Sequence, residues 1–256
     1  MAPARKLPVM EGLRAVAFDF YGTLVVQDEG EAAIDAGILA SQGCTVDDSV
    51  RMQWIDPVTA LDHVPFSTDV ATYGALCDQL WRRLLLDAGA APSGVDGLVR
   101  QARARGLARQ LVPFGDAVSS LRAVRAGGLQ LAICSNWGWE LPEVVRSCGL
   151  PDVFDVVLSS AEAGYRKPHP RIFELLVERL GLDAGSVLFV GDSVEADVLG
   201  AKSAGLRAVE LCPSRPTAAG PVSSVSPVSP VPSVSSLAEL AALVMGSSEA
   251  SRREIA

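Results

Sequence analysis

The chain has 256 residues, enough for one large domain or for a core with a smaller domain inserted. Hydrophobic residues make up 49% and the formal net charge is -8, a balance that argues against a nucleic-acid partner, because phosphate backbones select clustered Lys and Arg. No apolar run reaches the ~18 residues needed to span a bilayer, and the five cysteines (Cys44, Cys77, Cys134, Cys148 and Cys212) are scattered, odd in number and without a CxxC pair. Reduced thiols in a cytoplasmic protein are therefore expected.

The stretch leading to Phe20 has a superficial likeness to a signal peptide. Its apolar part is short, broken by Glu11 and Arg14, and runs straight into Asp19. A buried strand over Ala15 to Phe18 is the better reading. From 28 to 111 the strand pattern stops, and apolar spacing in Tyr73 to Leu86 and Val95 to Leu107 predicts a separate helical insert. Strands follow at Leu129 to Cys134, Val156 to Leu158, Val187 to Val190 and Ala208-Val209. Helices are predicted at Ala117 to Arg125, Leu141 to Cys148, Pro170 to Leu180 and Val194 to Ala204. Residues 213–236 form a Ser/Pro/Val low-complexity tract, expected to be an irregular, mobile loop. A short helix over Leu237 to Val244 is expected to pack back on the core.

Short apolar strands alternating with helices predict an α/β fold with a parallel sheet. The domains expected are a core of 12–27, 112–212 and 237–246, a helical insert of 28–111, and the 213–236 loop. Polar residues stand at the strand ends: Asp19, Ser135, Ser159 and Asp192. Ligand sites of open α/β sheets lie at such carboxyl ends.

Four segments can carry chemistry. In Asp19-Phe20-Tyr21-Gly22-Thr23-Leu24, a carboxylate after a strand can attack phosphorus or carbon to form an ester, Gly22 permits a tight turn, and Thr23 can hold the carboxylate. In Ile133-Cys134-Ser135-Asn136-Trp137, a hydroxyl and backbone N–H groups can bind an oxyanion, although Ser and Asn here also suit a helix cap. In Tyr165-Arg166-Lys167-Pro168-His169-Pro170, one of only three lysines (with Lys6 and Lys202) can place an ammonium beside the nucleophile, or stand as an ordinary exposed cation. In Gly191-Asp192-Ser193-Val194-Glu195-Ala196-Asp197, two carboxylates five apart supply the hard oxygens that Mg²⁺ takes. Asp192 with Glu195 also fits a capping box.

The order and context of these four segments resemble the haloacid dehalogenase-like (HAD) superfamily, over residues 13–27 and 112–212, with the insert where that family carries its cap. The resemblance implies a Rossmann-like core with an α-helical cap domain. It implies Asp19 as nucleophile, with Ser135 and Lys167 completing the catalytic set. It further implies Thr23, Ser135, Asn136 and Lys167 around the substrate, which would be a small molecule, with no nucleic acid or membrane involved. Mg²⁺ would be held by Asp19, the Tyr21 carbonyl and Asp192, with Asp197 in support.

One departure matters. Most phosphatases of the superfamily carry a second aspartate at the position of Tyr21, as the general acid for the leaving alcohol. Losing such a donor costs ~100- to 10,000-fold, and tyrosine, with a pKa of about 10, is no equivalent. Three readings stay open. The first, and favoured, is an Mg²⁺-dependent phosphatase with an altered acid. The second is a 2-haloacid dehalogenase, whose relatives also show Tyr-Gly-Thr after the nucleophile but lack the metal and have Ser and Asn in place of Gly191-Asp192. The third is a binding protein without catalysis. A phosphonatase is set aside because residues 28–111 contain no lysine for a Schiff base. His63 as a substitute acid, Arg51 as an anion receptor, and Trp137 and Trp139 as walls of the pocket mouth are weaker expectations.

Overall fold

The computed structural model describes residues 10–27, 29–60, 69–108, 110–212 and 231–254. Its centre is a six-stranded parallel sheet. β1 (Ala15–Phe18) is apolar at every position and buried on both faces. It pairs with β4 (Gln130–Ser135) on one side and with β6 (Val187–Gly191) on the other, in the registers Ala15↔Gln130 and Ala15↔Val187. β5 (Val156–Ser159) extends the sheet beyond β4, and β7 (Arg207–Leu211) beyond β6. The chain therefore leaves β1 in one direction and later returns to its other flank. The crevice at the carboxyl end of β1 is the topological switch point where open sheets bind ligands.

Alternation along the strands divides the core into two layers. Val16, Phe18, Leu131, Ile133, Leu188 and Val190 face α5 (Ala117–Ala126), α6 (Leu141–Ser147) and α10 (Leu237–Glu254). Ala15, Ala17, Ala132, Cys134, Val187 and Phe189 face α8 (Pro170–Leu180), whose Ile172, Phe173, Leu176 and Leu180 form one apolar stripe. A wide helical turn over Val194–Leu199 continues into α9 (Gly200–Ser203) on that same face. This is the expected Rossmann-like α/β arrangement.

The expectation of a loop over 213–236 needs correction at its end. Residues 213–230 lie outside the described residues, but Ser233–Val234 forms β8, paired with β7 as Glu210↔Ser233 and Leu211↔Val234. Val231 and Val234 are buried there. Valines spaced through a Ser/Pro tract supply the apolar anchors. Pro232, which lacks an N–H, is tolerated because the strand lies at the sheet edge. The last helix also runs to Glu254, well past Val244.

Between β2 (Val25–Gln27) and β3 (Leu111–Pro113), two short antiparallel strands, lie α1 (Glu29–Ser41), α2 (Asp48–Ile55), α3 (Val70–Asp87) and α4 (Val95–Ala108). Asp69 caps α3 by accepting from the Thr72 N–H at 2.8 Å. The insert has its own core, built on Leu39, Trp54, Val58, Trp81, Leu85 and Leu98. Where the insert meets the two short strands, buried Asp35 accepts from Gln27 Nε2 of β2 at 3.1 Å and from Arg105 Nε of α4 at 2.8 Å. Among the described residues no cysteine forms a disulfide and no helix is long and apolar enough to cross a membrane.

Candidate active site

Three strand ends converge on Asp19. Its backbone N–H donates to Val190 O at 2.8 Å, which places the residue beside the end of β6 as β1 stops. Ser135, the last residue of β4, donates from Oγ to Asp19 Oδ1 at 2.7 Å. Lys167 Nζ lies 2.8 Å from the same oxygen and 2.6 Å from Asp197 Oδ1. Asp197 Oδ2 in turn accepts from the Ser193 N–H at 3.0 Å. Asp19, Asp192 and Asp197 each bring a carboxylate oxygen within 4.8 Å of the others.

Glycine makes this crowding possible. Gly22 has φ +85°, a conformation that residues with a side chain rarely adopt, and a Cβ there would stand 2.5 Å from Asp192 Oδ2. A Cβ on Gly191 would collide with the Asp197 carboxylate. Thr23, fully buried, leans its Oγ1 toward Asp192 Oδ1 at 3.4 Å rather than toward Asp19.

The electrostatics follow from three crowded carboxylates beside one ammonium. Burial alone would disfavour a charged Lys167, but Asp19 and Asp197 reverse that and hold its pKa well above the ordinary lysine range. Burial, with Asp19 and Asp197 close by, pushes Asp192 up to about 8 against the pull of Lys167. Burial and Asp19 raise Asp197 to about 6, although Lys167 opposes the shift. Fully ionised, the cluster carries two more negative charges than Lys167 neutralises. Hard oxygen donors with such a surplus fit a divalent cation such as Mg²⁺.

Helix capping and surface exposure do not account for Asp192, Asn136 or Lys167. Ser193, not Asp192, caps the helical turn, accepting from the Ala196 N–H at 3.1 Å. The residue at the N-cap of α6 is Glu140, four positions beyond Asn136. Lys167 is buried, not an exposed cation. Ser159 does act as a cap, for the short helix α7 (Ser160–Ala163).

Asn136, expected to meet substrate, has both polar side-chain atoms occupied by the backbone of Lys167. Its Nδ2 donates to Lys167 O at 3.0 Å, and its Oδ1 accepts from the Lys167 N–H at 2.8 Å. Tyr21 sits on the turn after Asp19, its ring tilted against Trp137 with centroids 6.4 Å apart. Phe20 meets Trp137 edge-on at 5.5 Å. Trp137 belongs to the sheet's core layer, and Trp139 packs against the insert's cluster. His63 and the side chain of Arg51 lie outside the described residues.

Two groups escaped the sequence reading. Ser160 clamps the loop after β4, accepting from the Trp137 N–H at 3.1 Å and donating to Trp137 O at 3.2 Å. Arg166, buried beside Lys167, pairs with Asp56 of the insert at 2.8 Å. The charge of Arg166 beside Lys167 was visible, but its partner 110 positions away was not.

Residues 13–205 match the family model of haloacid dehalogenase-like hydrolases. Haloacetate dehalogenase H-2 of Moraxella sp. (strain B) is 32% identical over 207 residues, covering 77% of this chain and 84% of that protein. A phosphoserine phosphatase of Thermus thermophilus is 34% identical over 144 residues, 53% of this chain and 54% of its own length. The chain spans only about two fifths to just over half of several curated relatives it matches. In three dimensions, a defluorinating L-2-haloacid dehalogenase superposes with a TM-score of 0.69 at 24% identity, over 94% of this chain and 99% of that one.

Proposed function

Since the chain belongs to the haloacid dehalogenase-like hydrolases, we propose that it is an Mg²⁺-dependent phosphatase acting on a small phosphorylated metabolite in the cytoplasm. The observation that carries this reading is Asp192. Its carboxylate is wedged against the Asp19 turn, crowded by Asp19 and Asp197, while the ammonium of Lys167 is already shared between those two. A metal-free site gains nothing from a further anion beside its nucleophile. Asp19, Asp192 and the Tyr21 carbonyl would hold the cation, with Asp197 orienting Lys167. Bound there, Mg²⁺ would neutralise charge on the phosphoryl oxygens.

The chain's own residues do the rest. Ser135 Oγ and Lys167 Nζ fix the Asp19 carboxylate through one oxygen, holding it in attacking orientation. A carboxylate oxygen bonds to phosphorus as the bond to the leaving oxygen breaks, and that oxygen departs with the electron pair. Water then attacks the aspartyl-phosphate, releases phosphate and restores Asp19. Lys167 offsets the negative charge that gathers on the transferred group, and Asn136 keeps its backbone in place. Helices α1 to α4 act as the cap and select the substrate. Tyr21 supplies no strong acid, so substrates with good leaving groups are favoured.

A second reading rests on two observations: the similarity to haloacetate dehalogenase H-2 over most of both chains, and Tyr21-Gly22-Thr23 after the nucleophile. In it Asp19 attacks the carbon of a 2-haloacid, and halide leaves without a proton. The deciding experiment assays p-nitrophenyl phosphate with Mg²⁺ and with a chelator, and 2-chloropropionate with a chelator. Phosphate release that the chelator abolishes supports the proposal. Chloride release in chelator overturns it for the dehalogenase, and inactivity on both substrates favours a binding protein without catalysis.

A further inference from the structure

We propose that the ion pair between Asp56 and Arg166 is a latch through which the helical insert positions Lys167, so that docking of the insert and placement of the ammonium are one event. The inference rests on Lys167 serving the hydrolytic site, and it holds whether phosphorus or carbon is attacked.

Lys167 has no regular element to fix it, because the segment from Gly164 to His169 is a loop between α7 and α8. Besides the ion pairs of Lys167 Nζ with Asp19 and Asp197, two clamps hold this loop. From the sheet, Asn136 grips the N–H and the carbonyl of Lys167 itself. From the insert, Asp56 takes the guanidinium of the preceding residue, Arg166 Nη1 to Asp56 Oδ2 at 2.8 Å. Asp56 is itself oriented by accepting from the Val58 N–H at 3.2 Å, between α2 and the turn over Pro57–Ala60.

The pair lies where the insert docks. Ala161 of α7, fully buried, and Trp139 of the loop after β4 pack into the insert's own cluster with Trp54, Val58 and Tyr73. The side chains of Arg166 and Asp56 are only 9% and 18% exposed. With the insert docked, an Arg166 deprived of Asp56 would be a desolvated, unpaired cation; with the insert lifted, water would solvate it. The pair therefore adds little to the strength of docking but penalises a docked state in the wrong register. Another polar link of the insert, Gln27–Asp35–Arg105, lies at its base on β2.

The test compares Asp56→Asn, Arg166→Gln, the double variant and Arg166→Lys with the native full-length chain in Mg²⁺. It uses p-nitrophenyl phosphate, or 2-chloropropionate if that is what the native chain cleaves. Asp56→Asn is expected to lower kcat by roughly 10- to 100-fold, with much less effect on KM. The double variant, which replaces the ion pair by two neutral amides, should recover most of that loss, and Arg166→Lys should retain more activity than Arg166→Gln. Independently of turnover, hydrogen exchange should accelerate in Asp56→Asn for the amides of 164–169 and of the insert helices together, with β1, β4 and β6 unchanged. Additive losses, a kcat within about twofold of native for Asp56→Asn, or acceleration spread through the sheet would each overturn the latch. A native chain inactive on both substrates would refute the proposed function instead, and the exchange pattern would still decide the latch.

Discussion

Replacing Asp192 by Asn should make the metal-free protein more stable while removing its response to Mg²⁺. Asn keeps the shape of the side chain and removes one of three carboxylates whose oxygens lie within 4.8 Å of one another. At that separation and an effective dielectric of about 20, each carboxylate pair repels by about 3 kcal/mol, and Lys167 offsets part of the total. Burial and these neighbours push Asp192 up to about 8, above its ordinary 3.8. Between those values the folded state binds more protons than the unfolded state, so stability falls as pH rises, and the whole penalty is present above pH 8. A net gain of about 3 kcal/mol for Asp192→Asn at pH 8.5 corresponds to a rise of roughly 6–12 °C in Tm for a chain of this size. At pH 4, close to the ordinary 3.8, the carboxylate is protonated in the folded state and about half ionised in the unfolded state, so little of the penalty remains and the two proteins should melt nearly together. Saturating Mg²⁺, at ~100 times its Kd, should stabilise the native protein by about 3 kcal/mol and leave the variant unmoved. The assay is thermal unfolding of both proteins from pH 4 to 8.5, with a chelator and with Mg²⁺. The reasoning fails if metal-free native protein is as stable as the variant at pH 8.5, or if Mg²⁺ raises both Tm values equally.

Asp19→Asn should lower turnover by at least roughly a thousandfold with unchanged circular dichroism; near-normal activity would remove Asp19 as the nucleophile. Tyr21→Asp should accelerate alkyl phosphates more than aryl phosphates and keep the metal requirement, as read from rates across leaving-group pKa; a flat dependence in the native protein would mean that another group already delivers the proton. Leu240→Ala, in the helix closing one face of the sheet and 1% exposed, should cost about 3 kcal/mol in denaturant unfolding; a loss under about 1 kcal/mol would show that α10 is not part of the cooperative core.

The central strands were legible because β1, β4 and β6 are buried on both faces, which local sequence records as unbroken apolar runs. The polar residues at the ends of those runs, Asp19, Ser135 and Asp192, were legible for the same reason, whereas Lys167 and Asp197 joined the candidate site through the resemblance to the haloacid dehalogenase-like superfamily. The fold that brings them together follows from the order of those runs. The strands β2, β3 and β8 left no such record, because two or three residues cannot display a period. They exist only because a neighbour offers unpaired backbone groups. A place for Asn136 beside the substrate follows from the resemblance alone. Only the folded loop brings the Lys167 backbone against its amide. Whether Asp192 capped a helix or faced the nucleophile was likewise open in one dimension, since both roles suit Asp followed by Glu195. Packing decided it by giving the cap to Ser193 and pressing Asp192 against Gly22. The pairing of Asp56 with Arg166 was the least accessible of all. Sequence specifies each charge, but an ion pair depends on distance in space, and 110 residues of intervening chain carry no local pattern that encodes it.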